Sequence, residues 1–232
     1  MTCEHPVPSN PVVPRADFDE LADLVDAARA LVVPGERRIL GITGPPGSGK
    51  STLADFLVIA LGQDAVLVSM DGFHLDDPEL IRMGRYARKG ASDTFDAAGY
   101  VTLLRRLQDQ FEPIVYAPRF ERAAEKSIGS AVPVFSNTPL VITEGNYLLA
   151  DQPDWRPVRA LLDQCWYVDP DEDTRIQRLV ARHISHGRSV EEAVERSHGS
   201  DGANAAIVSG TRHRATRIVR VPVLASNEKV IG

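Results

Sequence analysis

Gly44, Pro45, Pro46, Gly47, Ser48, Gly49, Lys50 and Ser51 spell G-x-x-x-x-G-K-[ST], a complete phosphate-binding loop. The glycines let the backbone turn so that consecutive N–H groups point at phosphate oxygens. Lys50 is the residue type that reaches the β and γ oxygens, and the Ser51 hydroxyl suits Mg²⁺. With Thr52 continuing the run, 44–52 is the expected segment for binding ATP and Mg²⁺. A Gly-rich turn without a ligand is the plainer alternative. The context favours the loop, because an apolar run at 39–43 precedes it and a helical pattern follows.

Two carboxylates stand where strand ends would bring them to a triphosphate. Asp71 follows the β-rich run 65–70, and Glu144 follows the apolar run 140–143. Ligands of open α/β sheets bind at the carboxyl ends of strands. Phosphoryl transfer passes through a loose transition state, so a protein chiefly aligns the acceptor with the γ-phosphate and neutralises charge. A hydroxyl acceptor gains from a carboxylate that orients it and takes its proton, a role that suits Asp71. Glu144 would then hold Mg²⁺ with Ser51, although residue types alone do not separate the two roles and Asp71 is a metal candidate too. Asp71-Gly72 and Glu144-Gly145-Asn146 also read as plain turns. Further along, Arg175, Arg178 and Arg182 line one helical stripe beside the apolar face of Ile176, Leu179, Val180, His183 and Ile184, with Arg188 beyond Gly187. That stripe is either a solvated face or a set of phosphate contacts; its place after a late strand favours the contacts.

The elements that must position these groups follow from periodicity. Leu21, Leu24, Val25, Ala28, Leu31 and Val32 fall at helical spacing before Pro34-Gly35. Helices are expected at 50–61 and 96–110, the latter with Tyr100, Leu103, Leu104, Leu107 and Phe111 on one face. Strands are expected at 39–43, 65–70, 114–116, 140–143, 165–168 and 217–223. This alternation predicts an α/β fold, a mainly parallel sheet with helices on both faces. A helical, Arg-rich lid is expected over about 171–217. The Pro-rich 1–16 reads as a disordered lead-in and 17–232 as a single domain. At 232 residues, 43% hydrophobic and 25% charged, one domain has ample core. A net charge of −6 gives no general basic field for nucleic acid or anionic membrane. Cys3 and Cys165 suggest neither a metal site nor a disulfide framework, and the N-terminus lacks signal-peptide regions, so a cytoplasmic location is expected.

The loop at 44–51, Met70-Asp71-Gly72-Phe73-His74, Arg88-Lys89-Gly90 with Thr94-Phe95-Asp96, Tyr116-Ala117-Pro118-Arg119-Phe120, Glu144-Gly145-Asn146-Tyr147 and the 182–188 segment together resemble the phosphoribulokinase/uridine kinase/pantothenate kinase group of P-loop kinases. Within it the chain is similar to a bacterial nucleoside or sugar kinase-like subgroup, sometimes labelled fructokinase. The resemblance implies a P-loop NTPase fold, Asp71 as the carboxylate facing the acceptor hydroxyl, and Glu144 near Mg²⁺. It places Arg182 and Arg188 in a lid closing over the phosphates, with Lys50, Asp71, Glu144 and Arg182 as the catalytic set. It puts 88–96 and 116–119 on the acceptor side, and Asn204, Thr211 and Arg212 near the nucleotide. It also implies a homodimer or larger oligomer.

His74, Arg88, Lys89, Tyr116, Arg119 and Tyr147 are the candidate acceptor contacts. Each has an ordinary reading beside it. His74 fits a loop histidine held by backbone, Arg119 an ion pair with Glu121, and the two tyrosines core positions at strand ends. The expected activity is ATP-dependent transfer of the γ-phosphoryl group to a hydroxyl of a nucleoside, pantothenate or sugar-like metabolite. A nucleoside monophosphate kinase would share the loop and the lid, yet its anionic acceptor has little need of Asp71. A regulatory ATP-binding module is the non-catalytic alternative, and a GTPase-type switch lacks its N-K-x-D element.

Overall fold

The computed structural model describes residues 21–221. The lead-in at 1–16, Cys3 and the end of the expected 217–223 strand lie outside the described residues. Five strands form one parallel sheet: β1 (Arg38–Thr43), β2 (Ala65–Ser69), β5 (Leu140–Glu144), β6 (Gln164–Val168) and β7 (Arg217–Val219), in the order β2-β5-β1-β6-β7. The apolar β1 and β5 are central because burial on both faces needs a continuous hydrophobic run. Alternation sends Ile39, Val141 and Tyr167 to one face and Leu40, Ile142 and Trp166 to the other. The second face is covered by α1 (Leu21–Arg29) and α2 (Lys50–Leu61), the first by α4 (Ala97–Gln108) and the segment around Trp155. Helices on both faces of a parallel sheet, with the loop between β1 and α2, make this the P-loop NTPase fold. No helix among the described residues is long and apolar enough to cross a membrane.

Strand order sets the site. Because β5 sits between β1 and β2, Glu144 pairs in register with Ile42 on one side and Ser69 on the other. The phosphate loop, Glu144 and Asp71 thereby come out of three adjacent strand ends.

Three features depart from the sequence reading. Residues 114–116 belong to no strand of the parallel sheet; β3 (Ile114–Glu121) pairs antiparallel with β4 (Lys126–Phe135) as a separate hairpin. Pro118 cannot donate to the ladder, and the register shifts between Ala117 and Arg119. Its carbonyl packs so closely on Gly72 that a Cβ there would lie 2.6 Å away, so the glycine lets the hairpin dock beside Asp71. The helix over 97–108 also stops short of Phe111, which is 88% exposed and joins no core face. The segment 77–82, with Asp-Pro at its start, forms a short α3 (Asp77–Arg82) that periodicity did not mark. Beyond β6 come the lid helices α5 (Glu172–Ser185), α6 (Val190–His198) and α7 (Ser200–Gly210).

Candidate active site

The start of α2 is built to receive an anion. Its cap position is Gly49, in the left-handed conformation and without a side chain to satisfy the first N–H groups. Gly47 has φ +82° and lies against Arg175, where a Cβ would sit 2.8 Å from the carbonyl oxygen. Arg175 is almost fully buried, and its Nη1 donates to the Pro46 carbonyl at 3.1 Å. Arg178 Nη1 donates to the Ser48 carbonyl at 3.4 Å. The arginine stripe of α5 thus divides: Arg175 lies buried behind the loop, while Arg178, which also bonds the loop, and Arg182 face open cleft.

Lys50, the first residue of α2, has its ammonium pushed below the ordinary lysine range by burial, which Glu144 and then Asp71 partly oppose. Glu144 is 3% exposed; burial and then the nearby Asp71 charge push its carboxyl up, against Lys50. Ser51 Oγ donates to Glu144 Oε2 at 3.1 Å, and Ser69 Oγ donates to Oε1. A hydroxyl beside a carboxylate is an all-oxygen donor set of the kind Mg²⁺ takes, and the buried anion would gain from its charge. No group of three acidic, histidine or cysteine side chains forms a metal cage among the described residues. These observations suit Mg²⁺ and a triphosphate at 44–52.

Two clefts open above this point. The larger, about 580 Å³, is lined by Asp71, His74, Lys89, Asn146, Arg188 and others; the smaller, about 410 Å³, by Gly47, Gly49, Thr52, Arg178, Leu179 and Val221. Lys50, Ser51, Arg122 and Arg182 line both. Asp71 lies in the larger cleft only, with Arg122 Nη2 3.3 Å from its Oδ2. The Asp71 N–H is held by Ser69 Oγ at 3.2 Å.

His74 also lines the larger cleft. Its Nδ1 lies 2.9 Å from the Asp71 carbonyl, an acceptor only, so the network assigns the proton to Nδ1 and leaves the Nε2 lone pair unused by that bond. The ring packs at a tilt against Phe95 and Phe120 with centroids at 4.0 and 4.7 Å. Burial holds its pKa below the ordinary histidine value, against the Asp71 charge.

Other sequence candidates fall elsewhere. Lys89 lines the cleft but bonds Asp77 at 2.7 Å and the Glu125 carbonyl at 2.9 Å. Arg88 turns away to pair with Asp93. Tyr116 is 54% exposed on the outer face of the hairpin, because alternation turns its neighbours Val115 and Ala117 inward. Arg119 lies 3.6 Å from Glu121, and Tyr147 is a core residue whose hydroxyl donates to the Gly90 carbonyl at 2.7 Å. None of these four lines either cleft. Asn204 does, whereas Thr211 bonds the Val208 carbonyl and Arg212 pairs with Asp169. Arg188 lines only the larger cleft, 2.9 Å from His183 Nδ1.

Sequence reasoning did not find Arg122 or Arg196. Arg122 lies at the turn of the unrecognised hairpin, and nothing local marks it. Asn146 belongs to the quoted Glu144-Gly145-Asn146 motif but was given no role; its Oδ1 is buried, without a hydrogen-bond partner among the described residues.

Comparison with known proteins places this geometry. A solved structure described as a "putative fructose transport system kinase" from Silicibacter sp. TM1040 is 37% identical, with a TM-score of 0.79 over 87% of this chain and 99% of that one. The "Putative uridine kinase C227.14" of Schizosaccharomyces pombe is 32% identical over 207 residues, 83% of this chain and 86% of the relative. A uridine kinase of Leuconostoc citreum is 32% identical over 165 residues, 68% of this chain and 74% of its own. The model of the phosphoribulokinase/uridine kinase family matches residues 39–223, from β1 past β7, and the chain belongs to that family of P-loop kinases.

Proposed function

We propose that the chain transfers the γ-phosphoryl group of ATP to a hydroxyl of a small metabolite, of nucleoside, pantothenate or sugar-like type. The observation that carries the reading is the junction of the two clefts at Lys50, Ser51, Arg122 and Arg182, with Asp71 on one side of it alone. ATP lies along the smaller cleft and the loop; the acceptor occupies the larger. Asp71 orients the acceptor hydroxyl and takes its proton as the oxygen bonds to the γ-phosphorus. The bond from that phosphorus to the bridging oxygen breaks, and ADP leaves with the oxygen. Lys50, Arg122 and Arg182 neutralise the charge spread over the transferring group. Mg²⁺ held by Ser51 and Glu144 would supply further positive charge at the phosphates. The acceptor is a free small molecule, with no nucleic acid or membrane as partner.

The test is ADP release from Mg-ATP across uridine, cytidine, adenosine, pantothenate, fructose, ribulose 5-phosphate and the nucleoside monophosphates, with the product identified by phosphorus NMR. The reading expects acceptor-dependent release and a phosphate monoester. A phosphoanhydride made from a monophosphate would replace it with the nucleoside monophosphate kinase reading.

A further inference from the structure

The larger cleft has an unequal charge balance. Four carboxylates line it against six lysines and arginines: Asp71 lies 3.3 Å from Arg122, Asp77 and Glu125 lie 2.7 and 3.7 Å from Lys89, and Asp201 lies 2.7 Å from the His183 ring. Of the cations, Lys50, Arg122 and Arg182 are shared with the smaller cleft, so they belong to the donor side of the junction. Lys89 is committed to Asp77 and Glu125. Arg188 and Arg196 remain. Both line the larger cleft and not the smaller, and Arg196 has no hydrogen bond or ion pair among the described residues.

Arg188 is held in an unusual way. Its Nη1 lies 2.9 Å from His183 Nδ1. A guanidinium only donates, so Nδ1 must carry the lone pair, and the Nε2 proton goes to Asp201 Oδ2 at 2.7 Å. Asp201, on the first turn of α7, and His183, buried on α5, thus fix the Arg188 guanidinium through a neutral ring. A carboxylate in place of that ring would hold the arginine and cancel its charge. The relay holds it and leaves the charge for something else.

The aromatic lining points the same way. His74 packs at a tilt against both Phe95 and Phe120, and Lys89 lies 5.6 Å over Phe120. Of the cleft's phenylalanine and tyrosine rings, Tyr86 alone stays outside these contacts among the described residues, a poor cradle for a base.

We infer that the acceptor carries an anionic group, a phosphate or a carboxylate, distinct from the hydroxyl that is phosphorylated, and that Arg188 and Arg196 on the lid bind it. The inference rests on the kinase reading above for the role of the larger cleft. It favours a hydroxy acid or a sugar phosphate over a neutral nucleoside. His183 and Asp201 act as positioning residues for Arg188.

The test needs no knowledge of the acceptor. With the donor site filled by Mg-AMP-PNP, inorganic phosphate in one arm and malonate in another are titrated calorimetrically into the full chain at constant ionic strength. Wild type binds at least one anion saturably, and the stronger arm tells phosphate from carboxylate. Arg188→Gln and Arg196→Gln each weaken binding by about tenfold or more, while Arg196→Lys, which keeps the charge, loses much less. The titration is independent of turnover, so a failure of the kinase chemistry leaves this result standing. Absence of saturable binding, equal binding in both glutamine variants, or binding abolished by Mg-AMP-PNP would overturn the inference; the last would assign the arginines to the donor's phosphates.

Discussion

Arg175 makes two kinds of contact, and their worth differs enough to be separated. Its Nε and Nη2 reach the two carboxylate oxygens of Glu172 at 2.8 and 2.6 Å, but Glu172 is 71% exposed, and such a pair contributes only ~0–1 kcal/mol. On its other side, Nη1 meets the Pro46 carbonyl at 3.1 Å in the buried contact between α5 and the phosphate loop. A hydrogen bond from a charged donor is worth about 1.5–3 kcal/mol, and the buried carbonyl it leaves behind has no replacement partner. Arg175→Met keeps the stem and removes the guanidinium. Relief of guanidinium desolvation offsets part of the loss, leaving a net cost of about 1–3 kcal/mol. In a chain of this size that is a fall in Tm of about 2–12 °C. Glu172→Gln keeps an acceptor for Arg175 and stays within about 1 kcal/mol of wild type. Because the lost contact anchors Pro46 and Gly47, kcat/KM for ATP in Arg175→Met falls about 10–100-fold, as expected when a positioning group shifts by an ångström or so. Thermal melts and ATP kinetics on both variants decide the matter. If Arg175→Met melts with wild type and keeps its ATP kinetics, or if Glu172→Gln is the more damaging change, the anchoring argument is wrong.

Two further predictions concern protons. Glu144 has its pKa raised by burial and by Asp71, so between its unfolded and folded values the native state binds more protons. That contribution to apo stability is present at low pH and lost as pH rises through the folded value; Glu144→Gln removes the slope and melts progressively higher than wild type toward pH 8, while Mg-ATP turnover collapses. Melting curves that stay parallel from pH 5 to 8 would refute it. For His74 the sign reverses, since its folded pKa is depressed by burial and the unfolded chain takes up the proton first as pH falls past about 6.5. Wild type therefore loses stability relative to His74→Gln between pH 7 and 5, measured as the difference in Tm; a constant difference would contradict it.

The parts of the site legible in the sequence are those whose chemistry is contiguous. The phosphate loop needs eight successive residues, and Asp71 and Glu144 each end a hydrophobic run whose register the sheet then aligns. The hairpin was hidden because Gly129, Ser130 and Pro133 break the alternation of β4, and its docking depends on Pro118 meeting Gly72 across 46 positions of sequence. Arg122 was lost with it. The arginine stripe of α5 was visible as a stripe, but its members divide by height: seven residues separate Arg175 from Arg182, about 10 Å along a helix, enough to place one behind the loop and the other in the cleft. Tyr116 is the converse case: the resemblance put it on the acceptor side and its strand-end place suggested the core, but the pleat of β3 turns it outward.

The central claim is that Asp71 serves the acceptor hydroxyl and has no part in holding ATP. The measurement that tests it most directly compares Asp71→Asn with wild type in two readings, Mg-ATP affinity by calorimetry and acceptor-dependent kcat. Loss of a proton acceptor lowers kcat by about 10²–10⁴-fold. Since Asp71 lines only the larger cleft, ATP affinity stays close to that of wild type. Full turnover in the variant, or a loss of ATP affinity as large as the loss of turnover, would contradict the account.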